Sequence, residues 1–365
     1  MRKKCRHYKE GFNWKLISLM EKDSTKSMSP QARFEEQFAP LKVADETIDA
    51  LDLTPAISEE QEPEIDRPPV QIVWRNAILM GSLHLAALYG LYLIPNAKIS
   101  TLVWAYFLYI IGGLGITAGA HRLWAHRSYR ARLPMRIVLV VFNSLAFQND
   151  VIEWARDHRV HHKFSETNAD PHNAKRGFFF AHVGWLLVRK HPDVKSKGKL
   201  LDVSDLMKDP VLRFQRRFYL PSVIVLCFLI PTIVPVFCWS ESVINAYFIC
   251  ATLRYIVTLN FTWLVNSLAH MWGMRPYDVN INPAENVFVA MVSAGEGFHN
   301  YHHTFPQDYS TSEFGWCLNI TKFFIDICAV FGLACDRKTI PKEIVEQRRR
   351  RTGDTRVLNA ELKQE

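Results

Sequence analysis

Four runs of apolar residues, at about 76–95, 99–120, 219–239 and 243–265, are each long enough to cross a bilayer as a helix. A hydrocarbon core about 30 Å thick takes roughly 20 helical residues. Inside lipid, every backbone polar group must be satisfied within the segment, which restricts such runs to helices. The runs form two pairs with very short connections, so two helical hairpins are expected. The run from Met135 to Asn149 is too short to span and is read as a buried or interfacial helix, as is Phe323 to Leu333. The chain is 48% hydrophobic with a mean hydropathy of −0.05, so its apolar residues are bunched rather than spread.

Orientation follows from charges close to the membrane. The turn after the first run carries only Lys98, and Trp239 to Glu241 carries no Lys or Arg. On the other side, Arg122, Arg127, Arg130, Arg132 and Arg136 follow the second run, and Lys208, Arg213, Arg216 and Arg217 precede the third. Lys338, Lys342 and Arg348 to Arg351 add to them. This basic face is expected to be cytosolic, with both termini on it. The net charge of +8 suits anionic lipid or an anionic soluble substrate. Its spread around the membrane helices argues against nucleic acid. The seven cysteines form no CxxC pair and are read as buried small hydrophobes in a reducing compartment.

Nine of the 14 histidines fall into four clusters bordering the apolar runs. They are His121-x4-His126, His158-x2-His161-His162, His270 four residues after Asn266, and His299-x2-His302-His303. Imidazole is the commonest metal ligand near neutral pH, and nine exceed what one metal takes, so a two-metal centre on one membrane face is expected. Residues three and four apart share a helix face. His158, His161 and His162 are therefore expected to converge, and so are His299, His302 and His303. His121 and His126, five apart, suit two different metals. Asn266 can hold a water on one metal. His7, His84, His172, His182 and His191 stand outside the pattern; His172, in Asp170-Pro171-His172-Asn173, is the nearest to it. Imidazole ligation alone permits iron, copper or zinc. Oxygen activation beside lipid favours a pair of irons.

His121-Arg-Leu-Trp-Ala-His126, Glu153-Trp-Ala-Arg-Asp-His158-Arg-Val-His161-His162, Asn266-Ser-Leu-Ala-His270 and Gly295-Glu-Gly-Phe-His299-Asn-Tyr-His302-His303 resemble the integral-membrane acyl-CoA Δ9 desaturases, the stearoyl-CoA desaturase family. The resemblance covers roughly residues 70–335. It implies an all-α integral membrane protein with four transmembrane helices and a cytosolic helical cap carrying the nine-histidine dimetal site. It also implies two iron ions, O2 as co-substrate and a cis double bond introduced into saturated fatty acyl-CoA (C16/C18). Electrons would come from cytochrome b5 and its reductase, at the endoplasmic reticulum membrane. The chain has no His-Pro-Gly-Gly haem-binding stretch, so the donor is expected to be separate.

By the same resemblance, Asn76, Arg156, Asp157, Arg189 and Lys190 hold the CoA headgroup, consistent with the preference of phosphates for Arg and Lys. Gln148, Trp154 and Thr262 kink the acyl tunnel, Trp263 lines it, and Tyr109 closes its end near the small Gly113. Asn282-Pro283-Ala284-Glu285 resembles a signature of insect Δ9 desaturases that favour C16. The competing readings are a desaturase of other regiochemistry (Δ11-type), a diiron lipid hydroxylase, and a non-enzymatic metal-binding membrane protein.

Three regions follow. Residues 1–71 are expected to be a disordered acidic cytosolic tail, with nine acidic residues between Asp45 and Asp66. Residues 72–335 form the membrane domain and 336–365 a basic, mobile cytosolic tail. There is no apolar stretch before residue 70 to serve as a signal peptide. Arg254, near the middle of the fourth run, is read as reaching the headgroups from a helix that overshoots the bilayer, with a buried ion pair as the other reading.

Overall fold

The computed structural model describes residues 69–354. The acidic tail expected over 1–71 lies outside the described residues apart from its last three positions, and so do residues 355–365. Helices α1 (Trp74–Asn96) and α2 (Ile99–Ala125) make the first hairpin. Helices α3 (Leu133–Ala146) and α4 (Val151–Lys163) follow, bent by 82° at a short break. Helices α5 (Tyr219–Trp239) and α6 (Val243–Met271) make the second hairpin. The four hairpin helices are long and apolar enough to cross a membrane, and they match the four expected runs. The cap is completed by α7 (Val287–Val292), α8 (His299–Thr304), α9 (Ile320–Val330) and α10 (Lys342–Thr352). Regular strand pairing among the described residues is limited to Arg130–Ala131 against Ala334–Cys335. The architecture is the all-α membrane fold the sequence implies.

Two of the spanning helices run further than their apolar runs. α2 continues to Ala125 and α6 to Met271, so each carries histidines directly on its extension. The elbow between α3 and α4 is built from two residues in left-handed conformation, Phe147 (φ 49°) and Asn149 (φ 71°). The Asp150 carboxylate then caps α4 by accepting from the backbone N–H of Ile152 and Glu153. This bend turns α4 under the bundle and aims Gln148 inward. At the opposite end of the bundle, Glu241 ties the two hairpin turns together. Its carboxylate accepts from the N–H of Lys98 and Ser242, from Thr101 Oγ1 and from Asn245 Nδ2.

Arg254 departs from both expectations. It is 3% exposed, too buried to reach the headgroups, and among the described residues it pairs with no acidic side chain. Its guanidinium donates to the backbone carbonyls of Cys250, Leu145 and Cys227 at 2.9–3.1 Å. The reason lies in two interrupted helices. Pro231, four residues after Cys227, has no N–H to offer that carbonyl. α3 stops at Ala146, just past Leu145. Arg254 supplies donors where the backbone lacks them, and this offsets the cost of a charge at that depth.

The segment expected as a mobile tail from residue 336 is folded as far as Asp354. Val345 of α10 is buried with Tyr277, Tyr301 and Phe305, and Arg348 pairs with Asp278. A helix with one buried apolar anchor and four consecutive arginines reads as a solvated tail in sequence, because its hydrophobic stripe is too sparse to register.

Candidate metal centre

The end of α2 is wound as a π-helix from Gly115 to Ala125, and all eleven residues are buried. In this winding the hydrogen bond runs from residue i to i+5, and His126 N–H donates to the His121 carbonyl at 3.0 Å. His121 and His126 were expected to serve different metals because five residues subtend about 140° on an α-helix. The wider π turn instead brings them to one point, with ring centroids 4.8 Å apart.

The two histidine triplets also divide. His158 and His162, one turn apart on α4, join His121, His126 and His302 in a five-histidine group. His161 points the other way and joins His270, His299 and His303 in a four-histidine group. In each triplet the i, i+4 pair serves one group and the remaining histidine the other. Two glycines bring α8 into range. Gly295 has φ +108°, and a Cβ on Gly297 would lie 2.1 Å from the Ala290 nitrogen. The chain therefore crosses close over α7 and delivers Glu296 and His299 together.

Within each group the candidate ligand atoms all lie within 4.8 Å of one another. Neighbouring Nε2 atoms are 2.9–3.1 Å apart, as in His121···His302, His126···His158, His162···His302, His270···His299 and His299···His303. Two nitrogens bound at right angles to one metal, at the usual bond length of about 2.1 Å, would be separated by about 3 Å. Burial and neighbouring imidazoles push His126, His158, His162, His299, His302 and His303 well below the usual histidine range. The rings are therefore neutral and their lone pairs available, so the residues fit a pair of metal ions.

Three carboxylates hold the outer faces of these rings. Glu296 accepts from His121 Nδ1 at 2.8 Å, Asp170 from His161 Nδ1 at 2.9 Å and Glu166 from His270 Nδ1 at 2.9 Å. Such contacts fix the tautomer and the direction of Nε2. Burial raises the Glu296 carboxyl, but Arg122 and His121 outweigh it and hold it at about 2. Burial likewise opposes ionisation of Asp170, and His161 keeps it below the usual carboxylate range. Burial and Asp170 push Glu166 up. None of the three was singled out from the sequence. Glu296 and Asp170 sit inside the quoted motifs, whereas Glu166 carries no periodic signal. His172, close to the set as expected, lies 3.5 Å from Asp170. Burial, with His161, lowers it to about 3.

Two cavities reach the histidines. The outer one, about 650 Å³, is lined by Arg75, Asn76, Gln148, Asp157, Trp263 and others. The inner one, about 260 Å³, is lined by Tyr109, Gly113, Phe261, Met291 and others. Trp154, His158, Thr262 and Asn266 border both, so the cavities meet beside the metal groups. Gln148 donates to Thr262 Oγ1 at 3.0 Å across the junction. Tyr109 donates to the Val292 carbonyl and packs edge-on to Phe261.

Of the expected headgroup residues, Asn76 and Asp157 line the outer cavity. Arg156 and Lys190 stand behind them, both paired with Asp157. Arg189 is exposed beside Lys190, its backbone N–H bonded to the Gln71 carbonyl. Arg75 lines the cavity without having been anticipated. Asn282-Pro283-Ala284-Glu285 lines neither cavity. Asn300 Nδ2 donates to the Pro283 carbonyl and the Tyr301 N–H to Glu285, so the motif braces α8. Burial pushes the Glu285 carboxyl up to about 8.

The profile of the family described as "Fatty acid desaturase" matches residues 99–312, more than half of the chain. The chain belongs to the fatty acid desaturase family. This desaturase is 59% identical over 294 residues to a stearoyl-CoA desaturase of Sus scrofa, covering 80% of this chain and 82% of that one. It is 60% identical over 294 residues to an acyl-CoA desaturase of Ovis aries, with the same coverage. It is 61% identical over 284 residues to stearoyl-CoA desaturase 5 of Homo sapiens, covering 78% and 86%. The matched region contains all nine histidines of the two groups in the desaturase, and it includes the junction of the two cavities.

Proposed function

We propose that this desaturase acts on saturated fatty acyl-CoA of 16 or 18 carbons and introduces a cis double bond at Δ9, using O2. The observation that carries this reading is the meeting of two cavities beside nine histidines, through Trp154, His158, Thr262 and Asn266. The similarity to stearoyl-CoA and acyl-CoA desaturases supports the substrate class. The nine histidines are read as the ligands of two iron ions, with Asn266 holding a water. Two irons bound there would activate O2 for attack on an unactivated methylene.

The chain's own residues then position the substrate. Arg75 and Asn76 on the outer cavity, Arg156 and Lys190 paired with Asp157, and the exposed Arg189 offer donors to the CoA phosphates. Trp154, Gln148 and Thr262 narrow the junction, so the acyl chain must bend there with two adjacent methylenes beside the metals. Burial of both histidine groups excludes bulk water from the reacting carbons. Electrons are assigned to cytochrome b5 and its reductase, as separate chains. The membrane is assigned to the endoplasmic reticulum with the metal face in the cytosol, which the basic residues flanking the spans support.

Purified chain reconstituted with stearoyl-CoA, NADH, cytochrome b5 and its reductase tests the reaction. The expected result is one alkene formed per NADH oxidised. NADH oxidation yielding a hydroxy acid, or no lipid product, would contradict it.

Chain length is assigned to Tyr109. Each buried methylene is worth about 0.8 kcal/mol, so solvation separates C16 from C18 by only about 1.6 kcal/mol. A steric stop discriminates more sharply. Tyr109→Ala removes the ring between Phe261 and Val292 and is expected to extend turnover to acyl chains at least two carbons longer. The products from C14 to C22 substrates check this, and an unchanged profile would refute the stop.

A further inference from the structure

The two histidine groups are held from outside in different ways. Among the described residues, the five-histidine group has a single carboxylate on its rings, Glu296, locked by the buried Arg122. The four-histidine group has two, and both come from one short loop between α4 and the Ala174–Arg176 turn. Asp170 Oδ1 accepts from His161 Nδ1 and also from the His172 N–H at 3.1 Å. Its other oxygen accepts from the Glu166 N–H at 3.0 Å. Glu166 Oε1 accepts from His270 Nδ1, and Oε2 from the Lys175 N–H at 3.1 Å. The loop thus grips one histidine from α4 and one from α6.

Glu166 also has φ 63°. A non-glycine residue in the left-handed region is strained and persists where surrounding contacts over-determine it. Here those contacts are the Asp170 bond to its N–H and the two bonds to its carboxylate. The strain is spent at the point where the side chain reaches His270. Thr167 Oγ1 donates to the Phe164 carbonyl and Asn173 Nδ2 to the Thr167 carbonyl, which closes the loop on itself.

We propose that residues 164–175 form a carboxylate clamp dedicated to the four-histidine group, and that Glu166 is the positioning residue on which retention of that group's metal depends. The inference rests on the reading of the two groups as metal sites. Glu166 touches neither cavity lining and acts only through His270. Loss of such an outer partner weakens metal binding by about 10- to 100-fold. The effect should be confined to one of the two ions, because among the described residues the loop carboxylates bond ring nitrogens of the four-histidine group and Glu296 bonds that of His121 in the other.

The test uses the full chain purified in detergent, loaded with iron(II) and challenged with a chelator at a concentration the wild type withstands. Iron per chain is measured by mass spectrometry and its environments by Mössbauer spectroscopy. Wild type is expected to hold about two irons in two environments. Glu166→Ala is expected to keep about one, with one environment lost. Glu166→Gln, which retains an oxygen to accept from His270, is expected to recover most of the second iron. Unfolding of the metal-free proteins, read by circular dichroism, separates positioning from stability and should differ little between wild type and Glu166→Gln. Two irons retained in Glu166→Ala would overturn the clamp, as would equal loss from both environments. A wild type that holds no iron at all would instead overturn the metal-site reading itself.

Discussion

His302→Ala is expected to abolish desaturation while leaving the protein inserted and folded. His302 is 1% exposed, and its Nε2 lies 2.9 Å from that of His121 and 3.0 Å from that of His162. It therefore bridges His121, on the extension of α2, to His162, one of the two ligands delivered by α4. Removing an outer partner of a ligand already costs about 10- to 100-fold in activity or metal affinity, so removing a ligand should exceed that. Turnover more than about 100-fold below wild type is the expected reading. Insertion should persist, because α8 is a cap helix and none of the four spanning helices contains residue 302. Glycosylation reporters placed in the 97–98 turn and product analysis on the same membranes check both halves. Full activity in the variant would remove His302 from the metal set.

Glu296→Ala is expected to be the most destabilising single change at the centre. Arg122 is fully buried, and Glu296 is its acidic partner, at 2.9 Å. Its other bonds run to the Tyr309 and Ser310 carbonyls and to Asn319 Oδ1. Breaking a buried pair from one side leaves an uncompensated charge and costs about 3–5 kcal/mol. The same substitution frees His121 Nδ1 and loosens the direction of its Nε2. Thermal unfolding in detergent should fall steeply, and Glu296→Gln should fall less, since its amide oxygen still accepts from Arg122. Equal stability of wild type and Glu296→Ala would mean that Arg122 finds another partner, which the geometry gives no reason to expect.

The parts of the molecule that sequence could disclose are those governed by short-range pattern. The four spans were legible because lipid demands uninterrupted apolar runs of fixed length. The nine histidines were legible because coordination chemistry concentrates one residue type at helical spacing. Their division into groups was not legible. It depends on the π winding of Gly115–Ala125 and on how α4 and α8 rotate against each other, and neither leaves a mark in the spacing. Arg254 was misread because its partners, three carbonyls on three different segments, are invisible in composition. The carboxylates Glu166, Asp170 and Glu296 were missed for the same reason. Their role comes from contacts with rings of which two, those of His121 and His270, lie over 100 residues distant for Glu296 and Glu166. The fold of α10 escaped because one buried valine decides it.

The central claim, that this chain desaturates fatty acyl chains, is tested most directly in yeast lacking its own desaturase and grown without unsaturated fatty acid. Total fatty acids would be analysed by mass spectrometry after chemical location of the double bond, beside a strain carrying His302→Ala. The expected result is growth with cis-Δ9 16:1 and 18:1 in the wild-type strain and neither in the variant. Well-expressed wild-type protein that yields no alkene would contradict the account.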